Sequence, residues 1–307
     1  MKILVVGSLN IDFRIEVHHL VTDGETEKTD KLELIPGGKG ANQAFASGKL
    51  GNQTVLLGAV GNDSYGKILC NSLRTANVDI SHLAVCDTVS TGIAVIQVDR
   101  KGNNSIIVVS GANATVSAEY IDKNIDVLKQ SDMVLLQMEI PVETVLYVAR
   151  LAKEMGKIVV LDPSPVPAVM PHEIYKYIDY IKPNETELKM LTDERDLEKG
   201  MGKLISYGVG CVIVTVGRNG AKVLKAASDT IVTYPTPDVP IVDTTAAGDS
   251  FLAAFATEVG TGMEVEKAVK YANVVGAIVV SKKGAQTSIP DRKEVADFTE
   301  TLDERFI

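Results

Sequence analysis

The sequence predicts an α/β fold: a mostly parallel sheet flanked by helices, with a small β-sheet lid. Short apolar runs rich in Val, Ile and Leu alternate with amphipathic stretches, the order expected when helices connect parallel strands. Four other segments alternate apolar and polar residues, the mark of half-exposed strands. A length of 307 residues, 45% hydrophobic and 23% charged, is enough to bury one large core.

The apolar runs are Lys2–Gly7, Thr54–Val60, Met133–Gln137, Ile158–Leu161 and Val212–Val216. They are bounded by turn residues or Asp, as strands buried on both faces should be. Helical stretches lie at Ala41–Leu50, Tyr65–Ala76, Val142–Met155, Glu185–Leu191, Leu197–Tyr207, Ser250–Val259 and Val265–Val280. Ligands of such sheets bind outside the carboxyl ends of the strands. The alternating segments are Ile11–Glu16, Lys31–Ile35, Gly92–Asp99 and Ser105–Val109. Thr22-Asp23-Gly24-Glu25 and Asp99-Arg100-Lys101-Gly102-Asn103 suggest hairpin-like connections. We expect a small separate sheet from about residues 11–35 and 92–110, inserted in a single domain spanning 1–307. Extra edge strands on the main sheet are the alternative. No repeat, low-complexity tract or linker divides the chain, so the insert reads as a lid and not as an independent domain.

The net charge is −9, from 31 Lys and Arg against 40 Asp and Glu. An acidic chain is not expected to bind nucleic acid or an anionic membrane, yet it can hold a small anion locally. The apolar run at the N-terminus is too short for a signal peptide and reads as a first strand. No stretch approaches the ~18 apolar residues of a membrane span. Cys70, Cys86 and Cys211 form neither a metal pattern nor a disulfide framework, which suits a reducing cytoplasm. His18, His19, His82 and His172 lack any ligand spacing with Asp or Cys, and no zinc site is expected.

The most informative stretch is Asp243-Thr244-Thr245-Ala246-Ala247-Gly248-Asp249, which runs into an apolar helix. Small residues let backbone amides approach a ligand, and a helix N-terminus adds unpaired N–H groups and a positive dipole end. With the Asp249 carboxylate as base, the segment offers both parts that phosphoryl transfer to a hydroxyl needs. An ordinary strand–turn–helix with a capping Asp is the other reading. A second stretch is Pro36-Gly37-Gly38-Lys39-Gly40-Ala41-Asn42-Gln43-Ala44. Its adjacent glycines permit positive φ and close backbone approach. Lys39 and Asn42 suit a hydroxyl-rich ligand, and the spacing is not that of a Walker A loop. A tight βα turn is the alternative.

The two stretches resemble the signature motifs of the ribokinase-like carbohydrate kinase family, in the family's order and at about its spacing. The resemblance extends through Gly7-Ser8-Leu9-Asn10-Ile11-Asp12, Gly111-Ala112-Asn113-Ala114, Gln137-Met138-Glu139 and Lys182-Pro183-Asn184-Glu185-Thr186-Glu187. Thr215-Val216-Gly217-Arg218-Asn219-Gly220 and Lys283-Gly284-Ala285-Gln286 carry it over essentially the whole chain. It implies an α/β body with a β-sheet lid that often pairs two subunits, and phosphorylation of a sugar's primary hydroxyl by ATP.

Residue roles follow from the same resemblance. Asp249 would be the general base, and the amides of Ala246, Ala247 and Gly248 the anion hole. Asn10, Asp12, Gly37, Gly38, Lys39, Asn42 and Glu139 would contact the sugar. Asn184, Thr215, Gly217, Gly220, Ala247 and Gly248 would face the nucleotide, with Asn273 near the adenine, where several members carry His. Asn184 and Glu187 would help hold Mg²⁺ and phosphates largely through water, since Mg²⁺ takes few direct carboxylates. Read locally, the same pair is an N-cap with its capping-box partner. A K⁺ site is implied at Asp243, Thr245, Val279, Lys282, Gly284 and Ser288, with Val279 and Lys282 giving only carbonyls. Asp162-Pro163-Ser164-Pro165 replaces an Asn-Pro frequent in the family and receives no role.

Asn10 beside Asp12 favours D-ribose, phosphorylated at its 5-hydroxyl, because a site built to bond a hydroxyl penalises a sugar lacking it. Another sugar or nucleoside (2-deoxyribose, fructose) is the alternative, and a non-catalytic sugar-binding regulator is a third reading. A lid with one apolar face would expose a patch in a monomer, so a homodimer through the lid is expected.

Overall fold

In the computed structural model, which describes residues 1–306, the first strand is buried on both sides. This strand, β1 (Lys2–Val6), sends Ile3 and Val5 into one core and Leu4 and Val6 into another. Successive side chains of a strand point to opposite faces, so a strand covered by helices on both sides must be apolar throughout.

The remaining strands are β2 (Asn10–Glu16), β3 (Leu32–Gly37), β4 (Gln53–Leu57), β5 (Ala59–Gly61), β6 (Val78–Asp79), β7 (Ala84–Cys86) and β8 (Gly92–Val98). They continue with β9 (Asn104–Val109), β10 (Met133–Leu136), β11 (Ile158–Leu161), β12 (Tyr180–Ile181), β13 (Cys211–Thr215), β14 (Ala221–Lys225) and β15 (Val232–Tyr234). The helices are α1 (Lys39–Lys49), α2 (Ser64–Thr75), α3 (Ala118–Lys123), α4 (Ile125–Gln130) and α5 (Val142–Glu154). They end with α6 (Glu185–Thr192), α7 (Leu197–Ser206), α8 (Ala247–Gly260), α9 (Val265–Val280) and α10 (Arg292–Thr299).

Nine strands form the main sheet in the order β15-β14-β13-β12-β11-β10-β1-β4-β6. All pairs from β13 to β6 are parallel; β14 and β15 add an antiparallel edge. One face is covered by α1, α2, α8 and α9, and the other by α5, α6 and α7. The α8 helix is buried continuously from Asp249 to Val259, as a helix wedged between others must be. Its Phe255 meets the Tyr180 ring edge-on at 5.1 Å, and burying such a ring contributes about 1.5–3 kcal/mol. Glycines and alanines on α1 let α8 lie close against it. The expected fold class is borne out.

Some elements differ from the sequence reading. Thr54–Val60 is not one strand: β4 belongs to the main sheet, while β5 turns away at Gly58 to pair with β7. A Cβ at Gly58 would lie 2.6 Å from the Gly7 carbonyl oxygen, so the chain can cross there only without a side chain. The helices α1 and α8 start earlier than expected, at Lys39 and Ala247, because Gly38 and Ala246 begin them with left-handed backbone instead of a side-chain cap. Two-residue strands such as β6 and β12 are too short to show any period.

The alternating segments build a separate four-stranded sheet, in the order β3-β2-β8-β9, instead of adding to the main sheet's edge. A turn at residues 99–103 joins β8 to β9, with the Asp99 amide donating to the Asn103 carbonyl at 2.9 Å. Register places Leu34, Phe13, Val95 and Ile107 in one cross-strand row. Asn10, Asp12 and Arg14 lie on the opposite face. Arg14 pairs with Glu33 at 3.1 Å, and Glu33 also pairs with Lys283 of the body. No helix among the described residues is long and apolar enough to cross a membrane.

Candidate active site

The parallel strands all deliver residues to one end of the sheet. The β1 strand leads through Gly7, Ser8 and Leu9 to Asn10 and Asp12; β10 leads to Glu139, β11 to Asp162, β12 to Asn184 and β13 to Thr215 and Gly217. Asp249 faces this end from the first turn of α8 and is 5% exposed.

Asp249 is oriented by the first turn of α1. Its Oδ2 accepts from Asn42 Nδ2 at 3.0 Å and its Oδ1 from Gln43 Nε2 at 3.3 Å. The Lys39 ammonium stands 3.8 Å from Oδ1. Residues three and four apart share a helix face, so Lys39, Asn42 and Gln43 converge on one carboxylate. Asn42 is held in turn by Gln286, whose Nε2 donates to Asn42 Oδ1 at 3.3 Å, and Gln43 by Gln137 at 2.6 Å. Burial acts to lower the Lys39 pKa, but the charges of Asp249, Asp162, Glu139 and Glu187 outweigh it and raise it, keeping the ammonium protonated.

Left-handed backbone starts both helices: Gly38 has φ 88° and Ala246 φ 60°. For alanine this conformation costs about 1–2 kcal/mol, and such strain gathers where function needs a fixed backbone. A Cβ on Gly38 would come within 2.7 Å of the Asn10 amide, and one on Gly37 within 2.4 Å of Asp12 Oδ2. The two glycines therefore admit Asn10 and Asp12 to the site.

Asn10 is 3% exposed, and its Oδ1 accepts from Asn113 Nδ2 at 2.8 Å. Glu139 Oε2 accepts from the Ser8 hydroxyl at 2.5 Å and the Lys39 amide at 2.9 Å. Burial pushes the Asp12 carboxyl up to about 7, and the nearby Glu139 and Asp249 push it the same way. Burial also raises Glu139, against the pull of the Lys39 charge and the Ser8 hydrogen bond. A cavity of about 390 Å³ adjoins this group, lined by Met138 and Glu139 from the body and Asn10 and Val108 from the small sheet.

A second cavity, about 430 Å³, lies beside the N-terminus of α8. Asn184, Thr215, Gly217, Gly220, Ala247, Gly248 and Asn273 all line it. The Ala247 amide donates to the Thr244 carbonyl at 3.2 Å. Asn273 also serves the wall: its Nδ2 donates to the carbonyls of Tyr234 (2.9 Å) and Pro235 (3.2 Å). Asn184 and Glu187 form a complete capping box, each side chain accepting from the other's amide at 2.8 Å.

Asp243 ties the loop before α8 to the loop after α9. Its Oδ1 accepts from the Thr245 hydroxyl (2.6 Å) and amide (3.0 Å), and its Oδ2 from the Gly284 amide at 3.1 Å. Burial works to raise its pKa, but these hydrogen bonds outweigh burial and lower it, so the carboxylate stays ionised. Val279 sits at the C-terminal end of α9, where carbonyls lack helical partners. Its carbonyl accepts the Lys282 amide at 3.1 Å, and the Lys282 ammonium pairs with Glu294. Ser288 is fully buried, its hydroxyl donating to the Ala285 carbonyl at 2.7 Å.

Sequence reasoning quoted Gln43, Asn113 and Lys182 only as parts of motifs and gave Asp162 no role. All four are buried polar groups within this network. For Asp162 and Lys182 the available signal was position, since charged residues directly after buried strands are rarely buried without partners.

The pfkB family carbohydrate kinase model matches residues 1–292. The chain is 36% identical to a ribokinase of Haemophilus influenzae over 301 residues, covering 96% of this chain and 97% of that one. It is 33% identical to a deoxyribokinase of Salmonella typhi over 303 residues, covering 97% and 98%. The structure of a ribokinase of Arabidopsis thaliana complexed with ribose and ATP matches with a TM-score of 0.90 at 33% identity, covering 98% of this chain and 99% of that chain. The resemblance carried by the motifs holds over the whole length, and the chain belongs to the pfkB family of carbohydrate kinases.

Proposed function

We propose that this chain transfers the γ-phosphoryl group of ATP to the 5-hydroxyl of D-ribose. One observation carries the reading: Asp249 and Gly248, adjacent in sequence, face the polar cluster around Asn10 and Asp12 on one side and the larger cavity on the other. The similarity to ribokinases, one of them complexed with ribose and ATP, supports the choice of substrates.

The chemistry follows from the geometry. Asn10, Asp12, Gly37, Gly38, Lys39, Asn42 and Glu139 hold the sugar, with carboxylates accepting its hydroxyls. Asp249 takes the proton of the 5-hydroxyl as its oxygen bonds to the γ-phosphorus and the bond to the ADP oxygen breaks. Its fixed position matters more than its basicity, because the transition state is loose. The amides of Ala246, Ala247 and Gly248, with the α8 dipole, meet the charge on the phosphoryl oxygens. Asn184, Thr215, Gly217, Gly220 and Asn273 form the nucleotide site.

Mg²⁺ entering with the nucleotide would supply charge neutralisation at the phosphates, and Asn184 and Glu187 would hold it through water. Among the described residues no group of three His, Cys, Asp or Glu could hold a metal. Glu187 keeps one carboxylate oxygen outside its capping box, which suits contact through water. The K⁺ donor set of Asp243, Thr245, Val279, Lys282, Gly284 and Ser288 fits on the side of Asp243, an ionised carboxylate beside a helix C-terminus. Asp243 and Thr245 lead directly into Ala246–Gly248, and Gly284 is hydrogen-bonded to Asp243, so cation binding there would shape the anion hole. The enzyme would work as a homodimer through the lid, a second copy covering the exposed apolar side chains there, among them Leu34 and Ile107. Three free thiols suit a cytoplasmic setting.

Four outcomes are expected. ADP release with ribose should exceed that with 2-deoxyribose or fructose, and Asp249→Asn should lower kcat by about 10²–10⁴-fold; turnover only with another sugar would discard the ribose assignment. Sugar binding needs ionised Asp12, so affinity measured by calorimetry should fall about tenfold from pH 8 to pH 6, as the group protonates near 7; Asp12→Asn should remove that dependence. Replacing K⁺ by Na⁺ should reduce turnover, and Asp243→Asn should make the two buffers equivalent; indifference of the unaltered enzyme would end the K⁺ assignment. Ile107→Asp, at a position 60% exposed, should shift sedimentation from dimer to monomer with unchanged circular dichroism.

A further inference from the structure

The structure assigns a role to two residues the mechanism above leaves unused: we propose that Lys182 contacts the transferring phosphoryl group as a catalytic residue, and that Asp162 positions it. The inference rests on the phosphoryl-transfer reading of the site.

Asp162 and Lys182 are the residues directly after β11 and β12, adjacent parallel strands in which Leu161 pairs with Ile181. Register therefore places them side by side at the carboxyl end of the sheet. Asp162 is fully buried and Lys182 is 5% exposed. The Lys182 ammonium lies 3.3 Å from Asp162 Oδ2. It also lies 3.1 Å from where a Cβ on Gly248 would stand, so it touches the helix turn that would hold the phosphoryl group. The same Asp162 oxygen is 3.9 Å from Lys39 Nζ and accepts from Gln43 Nε2 at 3.3 Å. One buried carboxylate thus holds two ammonium groups, Lys39 beside Asp249 and Lys182 beside Gly248.

A buried Lys–Asp pair does not by itself favour folding, since desolvation offsets the attraction. Its position gives it a use. The phosphoryl group must pass between the hydroxyl at Asp249 and the amide of Gly248, and a lysine already desolvated there meets its charge with no further reorganisation. The hydroxyl proton still goes to Asp249 and ADP still leaves with its bonding electron pair. Lys182 neither gains nor loses a proton.

The test measures kcat, KM and the rate ratio between ATP and its γ-thio analogue in the unaltered enzyme, Lys182→Met, and the double variant Lys182→Met with Asp162→Asn. We expect Lys182→Met to lose about 10²-fold or more in kcat, with ribose affinity by calorimetry within threefold of the unaltered enzyme. The thio ratio should shrink, because the group that senses the γ-phosphoryl oxygens is gone. The double variant should regain thermal stability yet stay slow. Lys182→Arg should recover part of kcat. If Lys182 only neutralises Asp162, the double variant recovers turnover and the thio ratio is unchanged, which overturns the proposal. If Lys182→Met does not fold, the double variant, with no buried charge left unpaired, carries the same comparison. Absence of ribose-dependent turnover in the unaltered enzyme would instead remove the underlying reading.

Discussion

The hydrogen bonds from Asn42 and Gln43 to Asp249 join two helix N-termini separated by 207 and 206 residues of sequence. The site depends on this meeting. It needs α1 and α8 to lie close, which their small residues allow. It also needs both helices to start without a capping side chain over their first amides. Gly38 and Ala246 provide this by taking left-handed backbone, freely for glycine and at a cost for alanine. The strain at Ala246 is held in place by the surrounding core, where α8 is buried along eleven consecutive residues.

Charge is the second constraint. Asp12, Glu139, Asp162 and Asp249 are brought close together, and burial pushes protons onto Asp12 and Glu139. Lys39 and Lys182 stand among them, with Asp162 shared by both ammoniums. Glu139 is raised by burial against the pull of Lys39, while Asp12, whose burial no lysine charge offsets, rises to about 7. Asp12 is therefore a group whose charge can change near neutral pH, while Lys39 stays protonated. Under the proposed function the same division would separate jobs: a carboxylate that tunes sugar binding, and ion pairs that hold the reacting geometry.

The small sheet has two unlike faces. One carries Asn10 and Asp12 into the polar cluster beside Asp249; on the other Ile11 is buried and Phe13 meets the Tyr65 ring at 5.5 Å, while Leu34 and Ile107 are exposed, and β9 is exposed along its whole length. An uncovered strand edge of this kind is a liability unless something pairs with it or covers it. The Glu33 pairs with Arg14 and Lys283 connect this sheet to the loop that also holds Gly284. A movement of the lid would thus be felt in the loop proposed to bind the cation.

Much was legible in the sequence because it was local. The buried strand Ile158–Leu161 is apolar at every position, the lid strands alternate, and the glycines before Lys39 and Asp249 mark close backbone approach. Asn184 and Glu187 were open to two readings, and the capping box is made in full, since its partners are three residues apart. What local pattern could not decide was where chain segments cross and which residues become neighbours. The break of Thr54–Val60 at Gly58 comes from the Gly7 carbonyl, far away in sequence. Asn273 lines the larger cavity, and its amide also holds the 234–235 backbone, a partner no spacing reveals. Asp162 and Lys182 become a pair only through the register of β11 on β12. By itself the sequence determined the element types, the sheet class and the chemical character of each motif, through periodicity and backbone freedom. Tertiary structure alone decided the pairing of buried charges and the convergence on Asp249, because those depend on strand register and helix contact between residues distant along the chain.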